Sequence, residues 1–313
     1  MSTDEPAHRD HAQQHPHGHG HDDHVFDEAK WAEMAEATEE QGEVLSAFVQ
    51  RSIAWIKEIR GADAADPVHV IDVGSGPGVG ATAFATAFPT SLVTAADSSP
   101  GMLARAQARA ERLGVSDRVR TAAVEMPGGL ATLDPADIIW ASMSLHHVGD
   151  EVAALRAMND ALRPGGLAVI AEFPPDEGHM SILSASIEAE VPGLWPRLRV
   201  ASGEWFAEMR ASLPDSTSSR PLDKMISDAG FDLLRSQVER VHFDAPLSLP
   251  QRRVVAKLSV GLARRQLATH LAADDLAYLD ALIDPNDSRS VHHRDDVSLD
   301  AAQLIVIARK RGV

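Results

Sequence analysis

Val68-His69-Val70-Ile71-Asp72-Val73 runs without a break into Gly74-Ser75-Gly76-Pro77-Gly78, and no other stretch of the chain restricts its fold as tightly. The β-branched residues Val68, Val70, Ile71 and Val73 suit a central, buried parallel strand. The glycines let the backbone turn sharply and approach a ligand where a Cβ would not fit. A helix from about Val79 to Phe88 then aims its free N-terminal N–H groups back at that ligand. Strand, glycine turn and helix in this order predict an α/β fold with an adenosine-type cofactor at the turn.

The turn alone does not select the cofactor. Gly76-Pro77-Gly78-Val79-Gly80-Ala81 fits the dinucleotide pattern G-x-G-x-x-A, which keeps a nicotinamide cofactor open. Asp72 shifts the balance: a carboxylate just before the glycines suits the ammonium and sulfonium of S-adenosylmethionine and would repel a pyrophosphate. Leu92-Val93-Thr94-Ala95-Ala96-Asp97 reads as a second strand ending in an acid, placed to accept from ribose hydroxyls, which either cofactor needs. The Tyr-x-x-x-Lys pair of many nicotinamide enzymes is missing, since the one tyrosine of the sequence is Tyr278.

Through Val70–Gly78 and Asp97-Ser98-Ser99-Pro100-Gly101-Met102-Leu103 the chain resembles the class I S-adenosylmethionine-dependent methyltransferases. Arg118-Val119 through Glu125-Met126-Pro127, Ala136–Ser142 with Leu145-His146-His147-Val148, and Leu162-Arg163-Pro164-Gly165-Gly166 continue the resemblance in register over residues 68 to 173. It implies that Gly74, Gly76 and Gly78 wrap the amino-acid end of the cofactor and that Asp97 holds the ribose. It also implies that Glu125, where the family more often has Asp, takes the adenine amino group, and that Ala141 and Ser142 line the methionine side. Asp72, Ser75, Ser98, Met102 and Met126 complete the implied cofactor set. The implied reaction moves a methyl group to an oxygen, nitrogen or carbon atom of a small-molecule acceptor. Two alternatives are an NAD(P)-dependent oxidoreductase and a non-enzymatic cofactor- or metal-binding protein on the same fold.

The predicted architecture is a doubly wound α/β fold with a seven-stranded, mostly parallel sheet, its last strand antiparallel, plus helical lid insertions. Strands are expected near 68–73, 92–97, 118–124, 136–141 and 166–173, with helices near 79–88, 99–113 and 150–162. Residues 25–66 read as an N-terminal helical cap, broken near Gln41-Gly42, and residues 67–175 as the cofactor-binding core. Residues 176–219 read as an inserted helical pair, carrying Ile182, Leu183, Ile187, Leu194, Trp195, Trp205, Phe206 and Met209. Such an insertion sits above the carboxyl ends of the strands, where ligands bind in open α/β sheets. Residues 220–313 resume the core around a further helical insertion, 245–302, too long to lack structure of its own.

Composition narrows the partners. A formal net charge of −17 over 313 residues argues against nucleic acid, whose phosphates demand a basic surface. The chain has no cysteine, which rules out disulfides, thiolate metal sites and a cysteine nucleophile. No apolar run approaches the roughly 20 residues that span a bilayer, and a cytoplasmic location is expected. A homodimer is compatible with these features. Residues 1–24 are expected to be disordered, and His15, His17, His19 and His21 could bind nickel, zinc or copper loosely. No metal site is expected in the core.

Methyl transfer from an activated donor needs placement above all, and a base where the acceptor is a hydroxyl. His146, with His147 beside it, follows the fourth strand, and Glu172 ends the fifth; His146 and Glu172 are the candidate catalytic residues. The competing expectation for Glu172 is an ion pair with Arg197 or Arg199. His179 is expected on the lid surface.

Overall fold

The computed structural model describes residues 28–61, 64–175, 179–216 and 220–312, with side chains from Met34 onward. The segment carrying His15, His17, His19 and His21 lies outside the described residues.

Two helices, α1 (Glu28–Val44) and α2 (Ala47–Arg60), precede the sheet. The break falls after Val44, and Gly42 sits inside α1. A Cβ at Gly42 would lie 2.8 Å from Val79 Cγ2, so this glycine serves close helix approach and not a helix end. The alternation then runs as expected: β1 (His69–Val73), α3 (Val79–Ala87), β2 (Leu92–Asp97), α4 (Pro100–Arg112), β3 (Val119–Ala123), β4 (Ala136–Ser142), α5 (Glu151–Ala161) and β5 (Leu162–Glu172). Ser99 starts α4, its Oγ accepting from the Met102 N–H at 3.3 Å, with Pro100 in the first turn.

The chain continues through β6 (Met180–Leu183), α6 (Ala185–Glu190), α7 (Leu194–Ser212), α8 (Leu222–Asp228) and β7 (Phe231–Phe243). Helix α9 (Leu249–Val254) passes through a π-helical turn, Val255–Val260, into α10 (Gly261–Gln266). Helix α11 (Ala273–Ile283) and β8 (Ser298–Lys310) close the fold.

Strands β3-β2-β1-β4-β5 are parallel, and β8 pairs antiparallel with β5. Strand β7 pairs with β8 from Leu299 to Lys310. On the remaining edge of β8, β5 faces Leu304–Arg309 and β6 faces Ser298–Ala301. The seven expected strands are thus joined by an eighth, and the insertion after β5 opens with a strand before its two helices. The physical reason is that β8 begins at Ser298, well before the expected Gln303, and its N-terminal half would otherwise present an unpaired edge.

Each face of the sheet has its own core. Phe48, Ile53, Ile56 and Phe84 pack on one face, and Leu155, Met158, Met225 and Ile226 on the other. A third cluster joins the two insertions: Ile187, Leu194 and Leu198 pack with Val255, Leu279 and Leu282. The long segment between β7 and β8 therefore enlarges the helical layer after β5. Among the described residues no helix is long and apolar enough to cross a membrane.

Helix α1 is clamped to α4 by charge. The buried Glu39 carboxylate accepts from Arg105, Arg109 and Arg112. Burial alone would raise its pKa, but the guanidiniums outweigh that and hold it below the usual carboxylate range. The clamp lays α1 across the carboxyl ends of the strands.

Candidate active site

The carboxyl ends of β1, β2 and β4 open into a cavity of about 940 Å³, roofed by α1 and closed at one side by the segment after β5. That volume lies near the top of the range for single-ligand sites, roughly 300–1,000 Å³, and gives room for two molecules side by side.

The glycines of the turn have separate reasons to be glycine. Gly74, Gly76 and Gly78 all have positive φ, at 64°, 50° and 79°. A Cβ at Gly74 would lie 2.4 Å from Ser144 Cβ, and one at Gly78 would lie 2.7 Å from Ala106 Cβ. At Gly76 the nearest atom is Thr38 Cγ2, 4.0 Å away, so this backbone faces open cavity. Gly74, Ser75 and Gly76 line the cavity, whereas Gly78 stands behind it against α4.

Asp72 is the electrostatic centre of the turn. Its side chain is buried in β1, Oδ2 has no hydrogen-bond partner, and it borders the cavity. Burial pushes the carboxyl up to about 8, opposed by the Ala81 backbone N–H and reinforced by Asp97. Gly80 makes room for it, since a Cβ there would lie 2.6 Å from Asp72 Oδ2. Ser75 Oγ is likewise buried without a partner. Buried polar atoms are normally satisfied, so two orphans beside one cavity call for a polar, cationic ligand group.

Asp97 ends β2 and braces the turn. Its Oδ2 accepts from the Gly76 N–H at 2.9 Å and its Oδ1 from the Ser99 N–H at 2.8 Å. Each carboxylate oxygen keeps a lone pair for a ligand hydroxyl. Ser98, Met102, Glu125, Met126 and Ser142 line the same cavity, with Glu125 exposed. Ala141 is buried in the core behind Ser142 and does not reach the cavity.

The two catalytic candidates also sit behind the wall. Glu172 Oε1 accepts from the N–H groups of Ser144 and Leu145, at 3.1 and 2.8 Å. His146 Nδ1 donates to Glu172 Oε2 at 2.7 Å, and its ring packs against Phe173 at 4.7 Å. Together they hold the 144–147 loop in shape, and neither lines the cavity. The expected lid partner for Glu172 is otherwise engaged: Arg197 pairs with Asp275.

His147 and His179 reach the cavity instead. Burial at the wall, with His146 4.1 Å away and Arg210 nearby, brings the His147 imidazole down to about 4 despite the nearby Glu172, so it is neutral at physiological pH. His179 is half-buried, not on the lid surface. Its Nδ1 donates to the Ala302 carbonyl at 2.9 Å. Gln303, Thr38, Gln41 and Asp215 join this second wall. Sequence reasoning placed His179 elsewhere and passed over Gln303, because only the pairing of residue 179 with β8 brings those two together.

Arg210 of α7 locks that wall. Its guanidinium donates to the carbonyls of His146, Val148 and Gly149 at 2.9, 2.6 and 3.2 Å, and lies 3.2 Å from Glu151 Oε2. A Cβ at Gly149 would lie 1.6 Å from the Pro214 carbonyl oxygen, so the loop after β4 touches the segment that follows α7 directly.

Comparison with known proteins fits this geometry. A family profile described as a methyltransferase domain matches residues 70–166. That stretch spans β1 through the start of β5 and contains Asp72, the glycine turn and Asp97. Residues 70–166 are thus similar to a methyltransferase domain. The malonyl-[acyl-carrier protein] O-methyltransferase of Dechloromonas aromatica (strain RCB) is 32% identical over 138 residues, covering 43% of this chain and 47% of that protein. The trans-aconitate 2-methyltransferase of Streptomyces avermitilis is 35% identical over 101 residues, covering 32% of this chain and 37% of that protein. The match thus spans half or less of each relative's length. The YcgJ protein from Bacillus subtilis is a structural neighbour with a TM-score of 0.47 and 18% identity, covering 84% of this chain and 100% of that one. The helical layer built from α6, α7 and α9–α11 lies outside the matched stretch of the methyltransferase domain.

The residues of the domain fit an S-adenosylmethionine molecule. The orphaned Asp72 and Ser75 oxygens want a cationic, hydrogen-bonding group, and the open backbone at Gly76 accommodates close approach. A tyrosine-dependent nicotinamide chemistry has no support, since the Tyr278 hydroxyl donates to Glu190 in the helical layer, away from the cavity.

Proposed function

We propose that the chain transfers the methyl group of S-adenosylmethionine to an oxygen, nitrogen or carbon atom of a small molecule. The observation that carries this reading is the buried Asp72 carboxylate, whose Oδ2 is unpartnered at the cavity wall beside the glycine turn. An ammonium satisfies that oxygen and also lowers the cost of ionising it. In this reading Asp72, Gly74, Ser75 and Gly76 hold the amino-acid end of the cofactor. Asp97, with Ser98 and Met102, holds the ribose; Glu125 and Met126 hold the adenine; and Ser142 lines the methionine side. Gly78 and Ala141 shape the site from behind.

When bound, the cofactor supplies an electrophilic methyl carbon, whose bonding pair to sulfur stays on sulfur as the acceptor's lone pair takes the methyl. The chain's own work is to align the acceptor and exclude water. The layer of β6, α6, α7 and α9–α11 acts as the lid that does so. His146 and Glu172 serve by positioning the loop that carries His147. The relatives are named for carboxylate-bearing acceptors, which brings O-methylation into the set to be tested.

Calorimetric titration with S-adenosylmethionine, S-adenosylhomocysteine and NADH in parallel tests the reading. Micromolar binding of the first two, with none of NADH, is expected. NADH binding alone, or no binding of any of the three, would overturn it.

A further inference from the structure

The cavity has a second, independent set of unsatisfied groups where residue 179 meets the start of β8. His179 and the start of β8 are tied in both directions: Ala302 N–H donates to the His179 carbonyl, and His179 Nδ1 donates to the Ala302 carbonyl, each at 2.9 Å. A carbonyl oxygen can only accept, so Nδ1 carries the ring proton and Nε2 keeps a bare lone pair. The Phe173 ring meets the imidazole edge-on at 5.9 Å and holds its orientation. The next residue, Gln303, is 5% exposed, lines the same cavity, and its Oε1 has no partner. Two hydrogen-bond acceptors on adjacent β8 contacts are therefore left for a ligand to satisfy.

The charge around them has one sign. Beyond the carboxylates assigned to the cofactor, Asp150 and Asp215 border the cavity, and among the described residues that line it there is no lysine or arginine. Its histidines do not compensate. His147 is neutral, and burial likewise lowers His179, against a weaker opposite pull from the Ala302 carbonyl and Glu172. A carboxylate entering here would meet carboxylates and lone pairs.

We propose that the methyl acceptor is an uncharged or cationic molecule whose O–H or N–H donates to His179 Nε2, with a second donor held by the Gln303 amide oxygen, and that carboxylates are rejected. This rests on the methyltransferase reading and narrows its substrate class. His179 is then the catalytic base: as the acceptor atom takes the methyl group, its proton passes to Nε2 and leaves an imidazolium. Glu172, which lies within electrostatic reach of the ring, favours that cation.

The test uses the full chain with uniformly nitrogen-15-labelled histidine and reads the His179 ring directly. It is run with and without S-adenosylhomocysteine, so that failure of cofactor binding is scored separately. The probes are matched panels of phenols, alkyl alcohols, primary amines and carboxylates, trans-aconitate among the last. Phenols, alcohols or amines are expected to shift the His179 Nε2 resonance and to be methylated, with carboxylates at least about tenfold weaker. His179→Gln should lower kcat by roughly 100-fold with little change in cofactor affinity. Gln303→Leu should raise the acceptor KM by up to about tenfold and leave kcat nearly unchanged. A carboxylate as the best ligand, hits that leave His179 unshifted, or no hit in any class overturns the proposal. Intact cofactor binding in those cases leaves the methyltransferase reading standing.

Discussion

The two walls of the cavity are built by opposite strategies. The glycine-turn wall comes from one continuous parallel core, and backbone groups do most of its work: positive-φ glycines, a strand-end acid bonded to two backbone N–H groups, and a buried carboxylate in β1. The facing wall is collected from α1, the loop after β4, residue 179, the end of α7 and β8. It is held by a few charged side chains, Arg210 and Glu39 foremost. A backbone-built wall should lose its ligand when a side chain is changed, whereas a wall tied by side chains should lose its own structure.

Arg210→Met provides the largest expected effect. It leaves the His146, Val148 and Gly149 carbonyls without their shared donor and the Glu151 carboxylate without its ionic partner. Breaking such a pair costs about 3–5 kcal/mol, which a denaturant titration resolves easily. Affinity for S-adenosylhomocysteine, measured where the variant is still folded, should change by less than about threefold. A large loss of cofactor affinity with unchanged stability would erase the distinction between the walls.

Asp97→Ala is the mirror experiment. The bonds of Asp97 to the turn are removed, and with them the ribose acceptors of the proposed reading, for an expected loss of about 2 kcal/mol, roughly 30-fold, in S-adenosylhomocysteine affinity. The melting temperature should move far less than in Arg210→Met. Unchanged affinity would take Asp97 out of the cofactor site.

The same contrast explains what could be read from the residues alone. Val70 through Gly78 announces itself because a buried parallel strand, a left-handed turn and a helix start each demand particular residue types in adjacent positions. Asp97 is legible because it ends a strand next to a serine cap. His146 and Glu172 were visible as chemistry-bearing residues near strand ends, yet they face each other and the 144–147 backbone. Alternation along a strand end or a short turn is too brief to say which of two neighbouring histidines turns to the cavity. His179 and Gln303 had no local signal at all, since their meeting depends on a pairing 123 residues apart in sequence. Gly42 misled in a different way: a glycine in a helix suggested a break, when the space it frees is taken by Val79.

Asp72 makes the stability of the first wall depend on pH. Its folded pKa, about 8, is raised above the ordinary aspartate value by burial. The stability it contributes is therefore whole below about pH 4 and drains away as pH rises towards 8. Asp72→Asn has no such drain. Between pH 6 and 7 the ligand-free wild type should lose up to about 1.4 kcal/mol relative to the variant. Parallel pH–stability curves for the two proteins would mean that Asp72 is ionised in the empty site.

Glu39→Gln tests the second wall most gently. The substitution keeps the shape and one acceptor but removes the charge that gathers Arg105, Arg109 and Arg112 under α1. Arg105 and Arg112 are substantially exposed and Arg109 also reaches Glu43, so no guanidinium is left stranded. The expected loss is only about 1 kcal/mol at pH 7. The sign of its pH dependence is opposite to that of Asp72. A carboxyl held below its usual range stabilises above its unfolded pKa, so wild type and variant should converge as the solution is acidified below about pH 4. Hydrogen exchange should quicken in α1 while β1 and β4 stay protected, because α1 is tied to the core by this cluster and by the Gly42 contact with α3. Exchange that quickens equally in α1 and in β1 would mean that the roof of the cavity unfolds only with the sheet, and the side-chain ties would then be part of the core and not a separable device laid over it.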